Sequence, residues 1–135
     1  MQQLNSGFSL IELLIVIAII GILTGLTYPS YNHYLTTTRR NYATTALTDL
    51  AARLEQYYIQ NNSYSGATLS SLGMSDINKN YYQLKIDQAT DDQYTISANP
   101  KGKQAEYDSA CGALILDQAG NKSITGRGTS QECWR

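Results

Sequence analysis

The sequence is short of the residues from which most active centres are built. It holds one histidine, two cysteines and one phenylalanine in 135 residues. A His-rich metal site or a four-cysteine zinc cluster cannot be assembled from that stock by one chain, so most metalloenzyme classes are excluded. Charge is scarce too, at 16% of residues against roughly 25% in ordinary soluble chains. Ten Lys and Arg face 11 Asp and Glu, a formal net charge of -1. That excludes a whole-chain electrostatic attraction to nucleic acid or anionic lipid. No internal repeat or low-complexity tract is visible. The length accommodates one domain, or one domain with an appendage.

What the chain does have is a long apolar run. Leu10 to Leu26 reads L-I-E-L-L-I-V-I-A-I-I-G-I-L-T-G-L, and from Phe8 to the closing Tyr28 the one other ionisable side chain is Glu12. About 20 such residues cross the hydrocarbon core of a bilayer as a helix. The run is apolar all round, which suits burial in lipid or in a helical assembly better than a soluble core. A cleaved secretory signal is the competing reading. Against it, Met1 to Gly7 carries no Lys or Arg, and the run closes on Thr27-Tyr28-Pro29 rather than a small-residue cleavage site. Glu12 is costly at mid-membrane, on the order of 3 kcal/mol, which marks it as a functional carboxylate. Its alternative is an interfacial position one turn inside a helix beginning at Phe8, eased by the helix dipole and water.

Gly7-Phe8-Ser9-Leu10-Ile11-Glu12-Leu13 and the apolar run behind it resemble the prepilin signature of type IV pilins and type II secretion pseudopilins. The resemblance implies a leader peptide over 1–7, cut by prepilin peptidase between Gly7 and Phe8, with N-methylation of Phe8. It implies that Glu12 neutralises the N-terminal amine of a neighbouring subunit during filament assembly. Two charges that are each costly alone in an apolar core would then penalise every other stagger. The leader departs from the usual basic pattern, while Arg39 and Arg40 lie beyond the run, so charge does not set the orientation.

Gly21, Gly25 and Pro29 punctuate the span of 8–30, and a kink or local loss of helix is expected there; in the resembling pilins this stretch straightens or melts in the filament. Beyond Pro29, Tyr31, Tyr34, Leu35, Ala43, Ala46, Leu47, Leu50, Ala51, Leu54, Tyr57 and Tyr58 recur at three- and four-residue spacing. The helix is expected to run from about Phe8 to Gln60, roughly 80 Å, with Asn61-Asn62-Ser63 as its stop. In a head spanning 31–135, the outer half, 31–60, presents its stripe to a sheet. Residues 61–80 read as a loop with Leu69, Leu72 and Met74 tucked beneath it. Strands are predicted around Tyr82, Leu84 and Ile86, around Tyr94, Ile96 and Ala98, and over Ala113 to Asp117, with Asp91-Asp92 as a turn and a fourth strand near Lys122 to Thr125. The fold class is α+β, with three or four antiparallel strands.

Cys111 and Cys133 read as one disulfide in an exported chain, worth roughly 3 kcal/mol by loop closure. A nucleophilic thiol is the alternative, but His33, the sole histidine, is far along the chain from both. The segment from Cys111-Gly112 to Cys133-Trp134, containing Asp117-Gln118-Ala119-Gly120, resembles the pilin disulfide loop. With Arg53-Leu54-Glu55-Gln56-Tyr57-Tyr58 and Asn62-Ser63-Tyr64, it is most similar to minor pilins of the PilE type. The implied partners are other pilin subunits, prepilin peptidase, the inner-membrane assembly machinery and, before assembly, the inner membrane, with roles in pilus biogenesis, twitching motility or adhesion. No cofactor or catalytic residue is expected, and Asp87, Asp91 and Asp92 do not match a calcium loop. Gly126-Arg127-Gly128 lacks the strand and helix of a phosphate-binding loop and reads as a turn. Related pilins take up DNA, and Lys101, Lys103, Lys122, Arg127 and Arg135 could gather for that purpose beside Tyr107 or Trp134. Glu106, Asp108, Asp117 and Glu132 are interspersed, which predicts a mixed solvated surface instead.

Overall fold

The computed structural model describes residues 7–74 and 80–135. The first six residues of the expected leader, and 75–79 within the expected loop, lie outside the described residues. The chain divides into two compact units, one through Leu35 and one of Thr36–Arg135.

Helix α1 covers Leu10–Asn61, 52 residues. It starts where the Ser9 carbonyl accepts the amides of Glu12 and Leu13 at 3.0 and 3.2 Å. In the first unit its side chains, from Leu10 to Leu26, are solvent-exposed, and its most apolar 18-residue window has a mean hydropathy of 2.6 with none of it buried. Such a surface needs lipid or other helices around it. The helix passes Gly21, Gly25 and Pro29 without interruption, so the local loss of helix expected there is absent from the isolated chain. A proline ring crowds the carbonyl four residues back, and here that residue is Gly25, whose backbone yields most readily. Thr24 and Thr27 add side-chain hydrogen bonds to the carbonyls of Ile20 and Leu23, at 2.7 and 2.9 Å.

In the second unit the four strands β1 (Tyr82–Ala89), β2 (Tyr94–Pro100), β3 (Leu114–Asp117) and β4 (Lys122–Ile124) form one antiparallel sheet in the order β1-β2-β3-β4. Leu84 pairs with Ala98, Ala98 with Leu114 and Leu114 with Ile124. This register places one apolar side chain from each strand at the same level of the sheet. Ala43, Ala46, Leu47, Leu50 and Leu54 of α1 share a buried cluster with Tyr82, Leu84, Ile96, Ala98, Leu114 and Leu116, with small residues on the helix allowing close approach. The register slips between Ile86 and Gln88, so the clean alternation of β1 fails beyond that bulge. Leu72 and Met74 are buried and Leu69 packs against them. Tyr31 and Tyr34, counted with the apolar stripe, are instead exposed, and the buried face begins at Thr36.

Asn62 ends α1 with φ 55°, the left-handed conformation that stops a helix. Beyond it, Tyr64 lies between Tyr58 and Tyr94, with ring centroids 4.7 and 4.9 Å away. Its hydroxyl donates to the Glu55 carboxylate at 3.0 Å; burial, then that carboxylate, pushes the phenol up to about 12. Two short helices escaped sequence reading, α2 (Lys103–Tyr107) and α3 (Ser130–Cys133). Each is too short for an amphipathic period to show.

Candidate functional site

The processing residues come first. Gly7, Phe8 and Ser9 precede the helix in non-regular backbone. Nothing lies within 4 Å of a Cβ placed on Gly7, and Phe8 is 83% exposed. Glu12 falls in the first turn of α1, exposed, where the unpaired amides of the helix start favour a negative charge.

The outer unit holds a polar group that sequence reading missed. Asp108, just past α2, is 2% exposed. Its carboxylate receives the Arg40 guanidinium in a two-pronged pair, Nε to Oδ2 at 2.9 Å and Nη2 to Oδ1 at 2.6 Å. The Tyr82 hydroxyl donates to the same Oδ2 at 2.7 Å. Gln104, fully buried, donates from Nε2 to the Thr36 carbonyl at 3.0 Å and to the Tyr82 oxygen at 3.1 Å. The hydrogen bond to Asp108 raises the Arg40 pKa against the opposing effect of burial. Burial first, and Asp108 second, push the Tyr82 phenol well above its usual range. This network ties α1, β1 and α2 together, and it overturns the solvated role expected of Asp108. The periodicity of α1 carries no signal for it, because Arg40 and Asp108 are 68 positions apart.

The disulfide is present between Cys111 and Cys133, with Cα atoms 5.7 Å apart, and no free cysteine is found among the described residues. The thiol alternative is thereby removed.

Of the candidate cations, Lys101, Lys103, Lys122, Arg127 and Arg135 are all exposed. With Asp108 committed to Arg40, their remaining acidic counterweights are Glu106, Asp117 and Glu132. Asp117 is itself engaged: it accepts the amides of Ala119 and Asn121 at 3.0 and 2.9 Å and the Asn121 side chain at 2.9 Å. Those Asn121 bonds hold its carboxyl below the usual value. Trp134 is half-buried. Its indole N–H donates to the Ser123 carbonyl at 3.1 Å, and Lys122 Nζ sits 5.4 Å from its ring centroid. Tyr107 is exposed. Arg39 lies 4.0 Å over the Tyr81 ring, and the Tyr81 carbonyl accepts the Lys101 amide at 2.8 Å. A second cation–aromatic pair thus stands beside Lys101.

Comparison with known proteins covers most of the chain. Residues 3–28 match the prokaryotic N-terminal methylation motif. Residues 29–115 match the family described as type IV minor pilin ComP, DNA uptake sequence receptor. A type IV major fimbrial protein FimA of Dichelobacter nodosus is 33% identical, over 96% of this chain and 91% of that protein. A second FimA from the same organism is 32% identical over the same shares. The crystal structure of the non-core minor pilin PilV of Neisseria meningitidis superposes with a TM-score of 0.57 at 19% identity, covering 69% of this chain and 89% of that one; at that identity the likeness establishes the fold. These families are structural rather than enzymatic. The methylation motif and the minor-pilin match together take in the apolar helix and most of the sheet, and the chain belongs to the type IV pilin family, as a minor pilin and structural subunit of a type IV pilus.

Proposed function

We propose that the subunit begins as a single-pass inner-membrane protein with its head in the periplasm. Prepilin peptidase cuts it between Gly7 and Phe8, Phe8 is N-methylated, and the assembly machinery moves it into an extracellular pilus. The exposed, non-helical backbone of Gly7 and Phe8 supports this reading, since a protease needs an extended, accessible bond. Mass spectrometry of the native subunit is expected to find a methylated Phe8 as the first residue; a chain still starting at Met1 would overturn the proposal. In the filament Glu12 pairs with a neighbour's N-terminal amine, and the Gly21 to Pro29 stretch straightens or melts as helices pack.

The head's further role is capture of extracellular DNA. The observation that carries this reading is the family match over 29–115, to a DNA uptake sequence receptor. Geometry adds to it: removing Asp108 from the surface leaves the exposed cations Lys101, Lys103, Lys122 and Arg127 less opposed than their sequence neighbours suggest. Each phosphate neutralised by such a cation releases counterions, giving a salt slope of about -0.9 per contact. The detergent-solubilised full chain is expected to bind duplex DNA, and Lys101→Ala with Lys103→Ala should shallow the salt slope by about two contacts' worth. Absence of binding at low salt would exclude this role and leave the pilus subunit intact.

A further inference from the structure

The apolar run of α1 ends in a cluster of phenols. Tyr28, Tyr31 and Tyr34 follow one another at three-residue spacing, whereas Ser9 to Thr27 contains no aromatic residue. All three stand inside α1 and inside the unit that ends at Leu35. They are 68, 59 and 65% exposed, and no ring stacking or cation contact involves them among the described residues. They therefore take no part in the core of the head. Each three-residue step advances a helix by about 4.5 Å and turns it by about 300°. The three rings consequently share about 120° of one helix face and span about 9 Å along it.

Their level along the helix suits one environment. Counted from Leu10, where α1 begins, about 20 helical residues match the hydrocarbon core of about 30 Å and end near Ser30. The polar layer beyond that core is roughly 5–8 Å deep on each side. Tyr28 thus reaches the boundary, and Tyr31 and Tyr34 fall in the polar layer. Helical side chains lean toward the helix N-terminus, which brings these rings back toward the lipid. A phenol fits such a layer because its ring avoids water while its hydroxyl needs a hydrogen-bond partner that hydrocarbon lacks. Leu10 to Leu26 alone rises only about 24 Å, short of the core, so aliphatic burial by itself sets the depth loosely. We propose that Tyr28, Tyr31 and Tyr34 form an interfacial anchor, seated among the lipid headgroups of the periplasmic leaflet, which fixes the depth of α1 before assembly. The inference rests on the single-pass membrane reading above.

The test puts Tyr28→Trp into the full chain, reconstituted in vesicles of phosphatidylethanolamine and phosphatidylglycerol. Quenching of its fluorescence is compared for lipids brominated near the glycerol and near the chain ends, with the unmodified chain giving the Trp134 background. The shallow bromines should quench Tyr28→Trp about twofold more than the deep ones, as a side chain at the boundary requires. Adding Tyr31→Leu and Tyr34→Leu lengthens the apolar run, and it should draw the reporter inward and abolish that preference. Quenching by neither lipid, or a preference that the leucines leave unchanged, would overturn the anchor with the membrane reading standing. In the second case a fall in the subunit's level in sheared pili would make the tyrosines filament contacts instead. A chain that failed to co-sediment with the vesicles would overturn the single-pass reading itself.

Discussion

Asp108→Ala is expected to destabilise the head by about 3–5 kcal/mol, the range for deleting one partner of a buried ion pair. The loss is large because Asp108 is 2% exposed and the Arg40 side chain 14%, so the abandoned guanidinium cannot regain full hydration. The Tyr82 hydroxyl, 2.7 Å from the carboxylate, loses its acceptor at the same time. Removing both charges together, as Arg40→Met with Asp108→Leu, is expected to recover part of the loss, because the pair's mutual attraction is offset by the cost of drying it. Urea unfolding of the disulfide-intact protein measures both. If the single substitution cost under about 1 kcal/mol, as exposed pairs do, the network would not be the anchor of α2 that its geometry suggests.

Glu12→Ala is expected to leave membrane insertion intact and to reduce the subunit in sheared pili by more than tenfold. Inserting the apolar run becomes easier without a carboxylate. Joining the filament becomes harder, because a neighbour's N-terminal amine would enter an apolar core unpaired, at an effective cost of several kcal/mol, and each 1.4 kcal/mol is a factor of about ten. Glu12→Gln, of the same size and without the charge, should behave as Glu12→Ala does. Quantifying the subunit in membranes and in sheared filaments separates the two steps. Incorporation of Glu12→Gln at the normal level would reassign Glu12 to a local role at the start of α1, in the first turn where it lies.

Much of the fold was legible because its signals are local. The apolar run, the three- and four-residue recurrence through Ala43, Leu47, Leu50 and Leu54, and the alternation at Tyr82, Leu84 and Ile86 each repeat within a few residues. α1, β1 and β2 accordingly lie where those periods put them, and β3 lies on the short apolar run Ala113 to Asp117. The stop at Asn61-Asn62 was equally readable, since asparagine tolerates the left-handed conformation that Asn62 adopts. Exposure at Tyr31 and Tyr34 was not, because a helical stripe continues in sequence whether or not a sheet lies opposite it. At Pro29 the rule predicts a lost hydrogen bond, and α1 nonetheless continues through it.

By itself the sequence determined the apolar run, the position of the one carboxylate within it, the strand pattern and the presence of two cysteines. All of these are written in spacing and residue type, and the prepilin signature lies within seven consecutive residues, Gly7 to Leu13. Tertiary structure alone decided that Asp108 belongs to Arg40 rather than to water, that the Trp134 indole meets the Ser123 carbonyl, and that Gly126 and Gly128 are pressed on Ala110. The physical reason is distance along the chain: a buried charge or a close backbone contact is defined by the partner it meets, and these partners are brought together only by the folded sheet and its disulfide.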